Sequence, residues 1–229
     1  MSRDWEAQLL VWSKPPGTPE QAKMETAESD IREAISKHTA MAARNVEVFP
    51  QGSYRNRTNI PTESDVDICV VSRDVLFSDW YHVDQPGPKT PEVRKALERE
   101  AGLIDAPYAY ADFKNDVGGA LVAHFGEAAV ERGDKAFDVH ETRRWVDSDV
   151  VAAFEHRSWF RKPSGALDYA VGTQFITDSG NRIENFPQQH YDCGVAKNAA
   201  TGKRFKAMAR GSRPGSAVKA LTAWAPRHG

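Results

Sequence analysis

An α/β fold, a mixed sheet flanked by helices, is what this chain of 229 residues predicts, on three observations. A long amphipathic helical pattern comes first, several Val- and Ile-rich runs of strand length follow, and two more helical stripes lie between those runs. Helices interspersed with strands in this way pack on the faces of a sheet.

The elements follow in order. Thr18-Pro19-Glu20-Gln21 has the form of a capping box with proline at the first helical position, and Met24, Ala27, Ile31, Ala34 and Ile35 recur at helical spacing, which predicts a long helix. Asn45-Val46-Glu47-Val48-Phe49 reads as a strand, Gly52-Ser53 as the turn after it, and Asp65 to Val71 as the next strand. Leu76 to Lys89, with Pro86-Gly87-Pro88, predicts a loop. Helices are expected near 90–104 and 108–125, where Val93, Ala96, Leu97 and Ala101, then Tyr110, Phe113, Val117 and Leu121, form apolar stripes that serve a core. Strands are expected near 136–140, 144–154 and 169–176, with Asp178-Ser179-Gly180-Asn181 turning into Arg182-Ile183-Glu184.

Chemistry concentrates in Ser64-Asp65-Val66-Asp67-Ile68-Cys69-Val70-Val71. Side chains alternate along a strand, so Val66, Ile68 and Val70 enter a core while Asp65 and Asp67 point together to the other face. Asp-x-Asp also occurs on solvated strand edges, but here Gly52-Ser53 precedes it, and glycine lets a backbone approach a phosphate while serine adds a hydroxyl donor. Two acids on one face repel unless cations sit between them. Hard divalent ions with oxygen ligands answer that need, and magnesium draws part of its shell from a phosphate-bearing substrate. A further strand-like run, 145–154, carries Asp147 and Asp149 on one face, and spacing alone does not choose between them.

These residues resemble the nucleotidyltransferases of the DNA polymerase beta superfamily, whose pattern is Gly-Ser, Asp-x-Asp and a distant strand Asp. Within it the likeness is to the cyclic GMP-AMP synthase/DncV-like nucleotidyltransferases of bacterial anti-phage signalling, in their CdnE-like branch. It is carried by Gln51-Gly52-Ser53-Tyr54-Arg55-Asn56-Arg57-Thr58-Asn59-Ile60, by Ser64-Asp65-Val66-Asp67, by Asn185-Phe186-Pro187-Gln188-Gln189-His190-Tyr191, and by Thr201-Gly202-Lys203-Arg204-Phe205-Lys206. The resemblance implies a polymerase-beta-like fold in which Asp65, Asp67 and Asp149 hold two Mg2+ ions, or Mn2+. It makes Ser53 a triphosphate ligand, Gln51, Gly52 and Asn56 nucleotide contacts, and Lys206 a phosphate-reaching lysine that could equally be a solvated helix cation. Asn185 matches the base-contacting asparagine of pyrimidine-using members, although an asparagine before Phe186-Pro187 also suits a turn. ATP, with UTP or GTP, is the implied substrate, and a cyclic-nucleotide-activated effector the implied partner.

The family-like core is expected over 1–210. From Gly211-Ser212-Arg213-Pro214-Gly215-Ser216 onward the chain departs from the pattern, and 211–229 reads as a divergent tail where members continue into a helical part. Two rival classes follow: transfer of AMP to RNA, a protein or a drug, and a remnant that binds nucleotide without turnover.

A formal charge of −2 and a pI near 6.4 argue against a protein whose main task is gripping nucleic-acid backbones. No apolar run of membrane-spanning length and no secretory pattern is present, so a cytoplasmic protein is expected. Cys69 and Cys193 lack metal-like spacing and read as reduced thiols, Cys69 as packing. No histidine pair has metal-ligand spacing; His190 reads as a structural hydrogen-bonding residue.

Overall fold

The computed structural model of the protein describes residues 14–59, 65–104 and 108–211. Seven strands form one mixed sheet: β1 (Val46–Pro50), β2 (Val66–His82), β3 (Val130–Arg132), β4 (Phe137–Val139), β5 (Ser148–Arg161), β6 (Leu167–Ile176) and β7 (Arg182–Asn185). The helices are α1 (Thr18–Lys37), α2 (Thr39–Ala42), α3 (Gly52–Asn56), α4 (Pro91–Glu100), α5 (Tyr110–Phe125), α6 (Pro187–Ala200) and α7 (Arg204–Gly211).

The centre of the sheet is the parallel pair β2–β5, with β1 antiparallel on the outer side of β2. β5 is long enough to take two partners along its other edge, β4 near its start and β6 along its second half, and β7 closes that side. Period-2 alternation then sorts the faces. Val66, Ile68, Val70, Val150 and Ala152 pack against Met24, Ile31 and Ile35 of α1 and Phe113, Val117 and Leu121 of α5. Each fully buried aliphatic side chain there contributes roughly 1.5–3 kcal/mol. The helical stripes read from sequence are thus core.

Three expectations are corrected. The α1 N-cap is Gly17, whose carbonyl accepts the Glu20 and Gln21 N–H groups; Thr18 makes no capping bond, and Pro19 is the second helical residue. The loop expected from Leu76 is strand as far as His82, because β2 resumes pairing with β5 after a register shift between Ser72 and Leu76. Trp80 there stacks on Trp159, centroids 4.9 Å apart, in a small cluster with Val83 and Leu97 of α4. β5 likewise runs to Arg161, well past the predicted end at 154. Ile60 to Ser64 and the tail beyond 211 lie outside the described residues. Among the described residues no helix is long and apolar enough to cross a membrane.

Candidate active site

The Gly-Ser turn sits directly on the acidic strand. Gln51 leaves β1 and its N–H donates to the Asp67 carbonyl at 2.8 Å, which ties the turn to β2. Gly52 then opens α3 with φ +59°, a left-handed conformation that favours glycine. Inside the short helix the Asn56 amide donates to the Gly52 carbonyl at 2.8 Å, and the Thr58 N–H returns to the Ser53 carbonyl at 2.9 Å. Arg57 ends the turn at φ 53°, and its carbonyl accepts from Arg210 Nη1 of α7 at 2.7 Å.

Strand register brings the acids together. Asp67 on β2 pairs with Asp149 on β5, and Asp149 pairs with Asp138 on β4, so three carboxylates lie in one row across the sheet. Asp65 immediately precedes β2, two residues before Asp67. Burial first, then a hydrogen bond and charge from Asp138, then the charges of Asp67 and Asp65, push the Asp149 carboxyl up to about 6. Asp147, its rival, is committed elsewhere: its Oδ1 accepts the Glu141 N–H at 2.5 Å.

A cleft of about 230 Å³ opens beside the turn, lined by Gln51, Gly52, Arg55, Asn56, Asp67, Asn185, Pro187 and His190. Of the predicted nucleotide contacts, Gln51, Gly52, Asn56 and Asn185 converge there, whereas Ser53 and Lys206 do not line it. Lys206 lies on α7, with its ammonium 5.8 Å from the Tyr191 ring centroid. Desolvation, then the nearby Arg57 and Arg210 charges, lower its pKa, a cluster of like charge suited to a polyanion. Arg55, quoted in the motif without a role, bridges the cleft: it bonds the Gln188 side chain and lies over the rings of Phe49 at 5.6 Å and Tyr191 at 5.0 Å. His190 also lines the cleft, and its backbone N–H bonds the Phe186 carbonyl at 3.1 Å.

Asp138 was missed in the sequence. Its only local signal is its place between Phe137 and Val139, both buried, which turns it to the opposite face. Cys69 lies one alternation beyond Asp67, fully buried, with its thiol pushed up to about 12 by desolvation, and is inert.

The donor set fits a hard cation, since Asp65, Asp67 and Asp149 offer only carboxylate oxygens. Among the described residues no three or more His, Cys, Asp or Glu side chains are already gathered tightly enough to hold a metal ion.

A nucleotidyltransferase domain family matches residues 29–107, the stretch holding the Gly-Ser turn and the Asp-x-Asp strand. The chain is 43% identical over 210 residues to the cyclic dipyrimidine nucleotide synthase CdnE of Legionella pneumophila, covering 92% of this chain and 67% of the relative. It is 39% identical to the enzyme of the same description from Cecembia lonarensis, over 92% of this chain and 66% of that one. The structure of Rhodothermus marinus CdnE c-UMP-AMP synthase with Apcpp and Upnpp superposes with a TM-score of 0.75 at 29% identity, over 97% of this chain and 70% of that one. The chain thus spans about two thirds of the length of the curated relatives it matches. It belongs to the CdnE branch of the cyclic GMP-AMP synthase/DncV-like nucleotidyltransferases, with their polymerase-beta-like fold.

Proposed function

We propose that this chain joins nucleoside triphosphates, with UTP and ATP favoured, into a cyclic di- or oligonucleotide. The observation that carries the reading is the row Asp67–Asp149 across the parallel β2–β5 pair, with Asp67 lining a cleft beside Gln51, Gly52 and Asn56. Asp65, Asp67 and Asp149 hold the divalent ions, Mg2+ or Mn2+. Ions held there would supply Lewis acidity toward an attacking ribose hydroxyl and countercharge for the departing pyrophosphate.

The chain's own residues bind and orient. Ser53 and the backbone of its turn hold the triphosphate for in-line attack, with the Lys206, Arg57 and Arg210 cluster drawing the polyanion from the α7 side. Asp149 accepts the proton of the attacking hydroxyl. Asn185 presents its amide to the base, and Gln51 and Asn56 frame the sugar and phosphates. The pyrimidine preference is supported by the relatives that carry dipyrimidine and UMP-AMP products in their descriptions.

The same family supports the remaining parts of the reading: a cytoplasmic protein whose product is a second messenger for anti-phage defence, sensed by a cyclic-nucleotide-activated effector. Residues 1–210 form the catalytic core and 211–229 a divergent tail. The test is incubation with each pair of labelled triphosphates and Mg2+, then phosphatase. A phosphatase-resistant small product from UTP with ATP is expected; label on a macromolecule or drug points to another class of nucleotidyl transfer and overturns the cyclisation.

A further inference from the structure

Asn185 ends β7, and Phe186 follows as the N-cap of α6. Successive side chains leave an extended chain in opposite directions, so the two neighbours reach different surroundings. Asn185 lines the cleft with Asp67. Phe186 sets its ring against His156, centroids 5.8 Å apart and planes at 81°.

His156 lies in the middle of β5 and is 1% exposed. Its Nδ1 is bonded to the Gln174 side-chain oxygen at 2.9 Å, while its buried Nε2 has no hydrogen bond and faces Glu184 at 3.7 Å. A buried polar nitrogen left unbonded is unfavourable, so filling space alone would be served better by an apolar ring. What the imidazole adds is the bond to Gln174, which sets the ring plane that Phe186 meets.

The partner of His156 on β6 is Gly172. A Cβ at that position would lie 2.6 Å from the Asn185 carbonyl oxygen and 3.0 Å from ring carbons of Phe186. Real Cβ atoms do not come so close to backbone, so any larger residue would push the end of β7 away from β6.

We propose that His156 and Gly172 form the seat of Phe186 and so fix where Asn185 presents its amide, making both positioning residues for base selection although neither reaches the nucleotide. The inference rests on the reading that Asn185 contacts the base.

Calorimetric binding of the magnesium complexes of non-hydrolysable UTP and ATP analogues separates the two ideas without requiring turnover. The wild-type chain is compared with Gly172→Ala, His156→Asn and Phe186→Leu, the last at a partly exposed position. Each variant is expected to lose about five- to tenfold in affinity for the uridine analogue, the worth of one misplaced hydrogen bond, while binding of the adenosine analogue stays within about twofold. Equal loss for both analogues, or a uridine preference retained in Phe186→Leu and in whichever of the others folds, overturns the seat. A wild-type chain with no preference between the analogues overturns the Asn185 reading, and this inference with it.

Discussion

Gly52 and Asp67 occupy one volume: a Cβ on residue 52 would lie 1.8 Å from Asp67 Oδ2 and 2.8 Å from its Cγ. The turn is therefore glycine for two independent reasons, its φ of +59° and the carboxylate pressed against it. Gly52→Ala must move either the phosphate-holding turn or the acid. The expected result is a fall in nucleotide transfer of about a hundredfold, the usual effect of an ångström-scale misplacement at a reacting centre, with the sheet intact by circular dichroism. Turnover within about threefold of wild type would show that the contact does not matter to catalysis.

Asp149 lies in β5 and Asp147 just before it, and the two are engaged differently. Asp149 lies in the row with Asp67, whereas Asp147 accepts the Glu141 N–H. Asp149→Asn is expected to reduce turnover by about a hundredfold or more, while Asp147→Asn keeps an accepting oxygen and changes turnover by no more than about twofold. Steady-state rates on the two variants decide the matter, and equal or reversed losses reject Asp149.

A stability prediction comes from Lys114, whose side chain is 2% exposed and donates to Asp178 at 2.7 Å and to the Asp134 carbonyl at 3.0 Å. Hydrogen bonds from Arg132, then from Lys114, hold the Asp178 carboxyl below its ordinary value of 3.8. A depressed carboxylate contributes stability that is present above its unfolded pKa and is lost as pH falls through the folded one. Asp178→Asn should therefore destabilise the fold at neutral pH by about 1–3 kcal/mol, a figure discounted because Asp178 is itself 39% exposed, and flatten the loss of stability below about pH 4. Denaturant unfolding at pH 7 and pH 3 measures both; a variant as stable as wild type at pH 7 contradicts the argument.

Base choice is tested at Asn185 itself. An amide offers both donor and acceptor to a uracil edge, which a serine hydroxyl matches poorly. Asn185→Ser should shift incorporation from uridine toward purines while leaving magnesium-dependent ATP binding within about twofold. An unchanged product spectrum would leave Asn185 as a turn residue.

The legible parts of this protein were local. The glycine of the turn, the paired acids Asp65 and Asp67 and the stripes of α1 and α5 each follow from periodicity or backbone freedom within a few residues. What sequence did not reveal depends on pairing between distant strands. Asp138 joins the acids only because β4 lies against β5 in one register, and residues 76–82 are strand only because β5 extends far enough to pair with them. Asp178 read as a turn residue for the same reason: its ion pair with Lys114 joins a turn to a helix 64 positions earlier.

The central claim, that Asp65 and Asp67 hold the ions through which triphosphates are joined, is tested most directly by the double variant Asp65→Ala/Asp67→Ala in the labelled UTP and ATP assay. Both acids face away from the core, so the fold should survive with relieved repulsion. A folded protein that makes no phosphatase-resistant product is expected. Retention of more than about a tenth of wild-type product would contradict it.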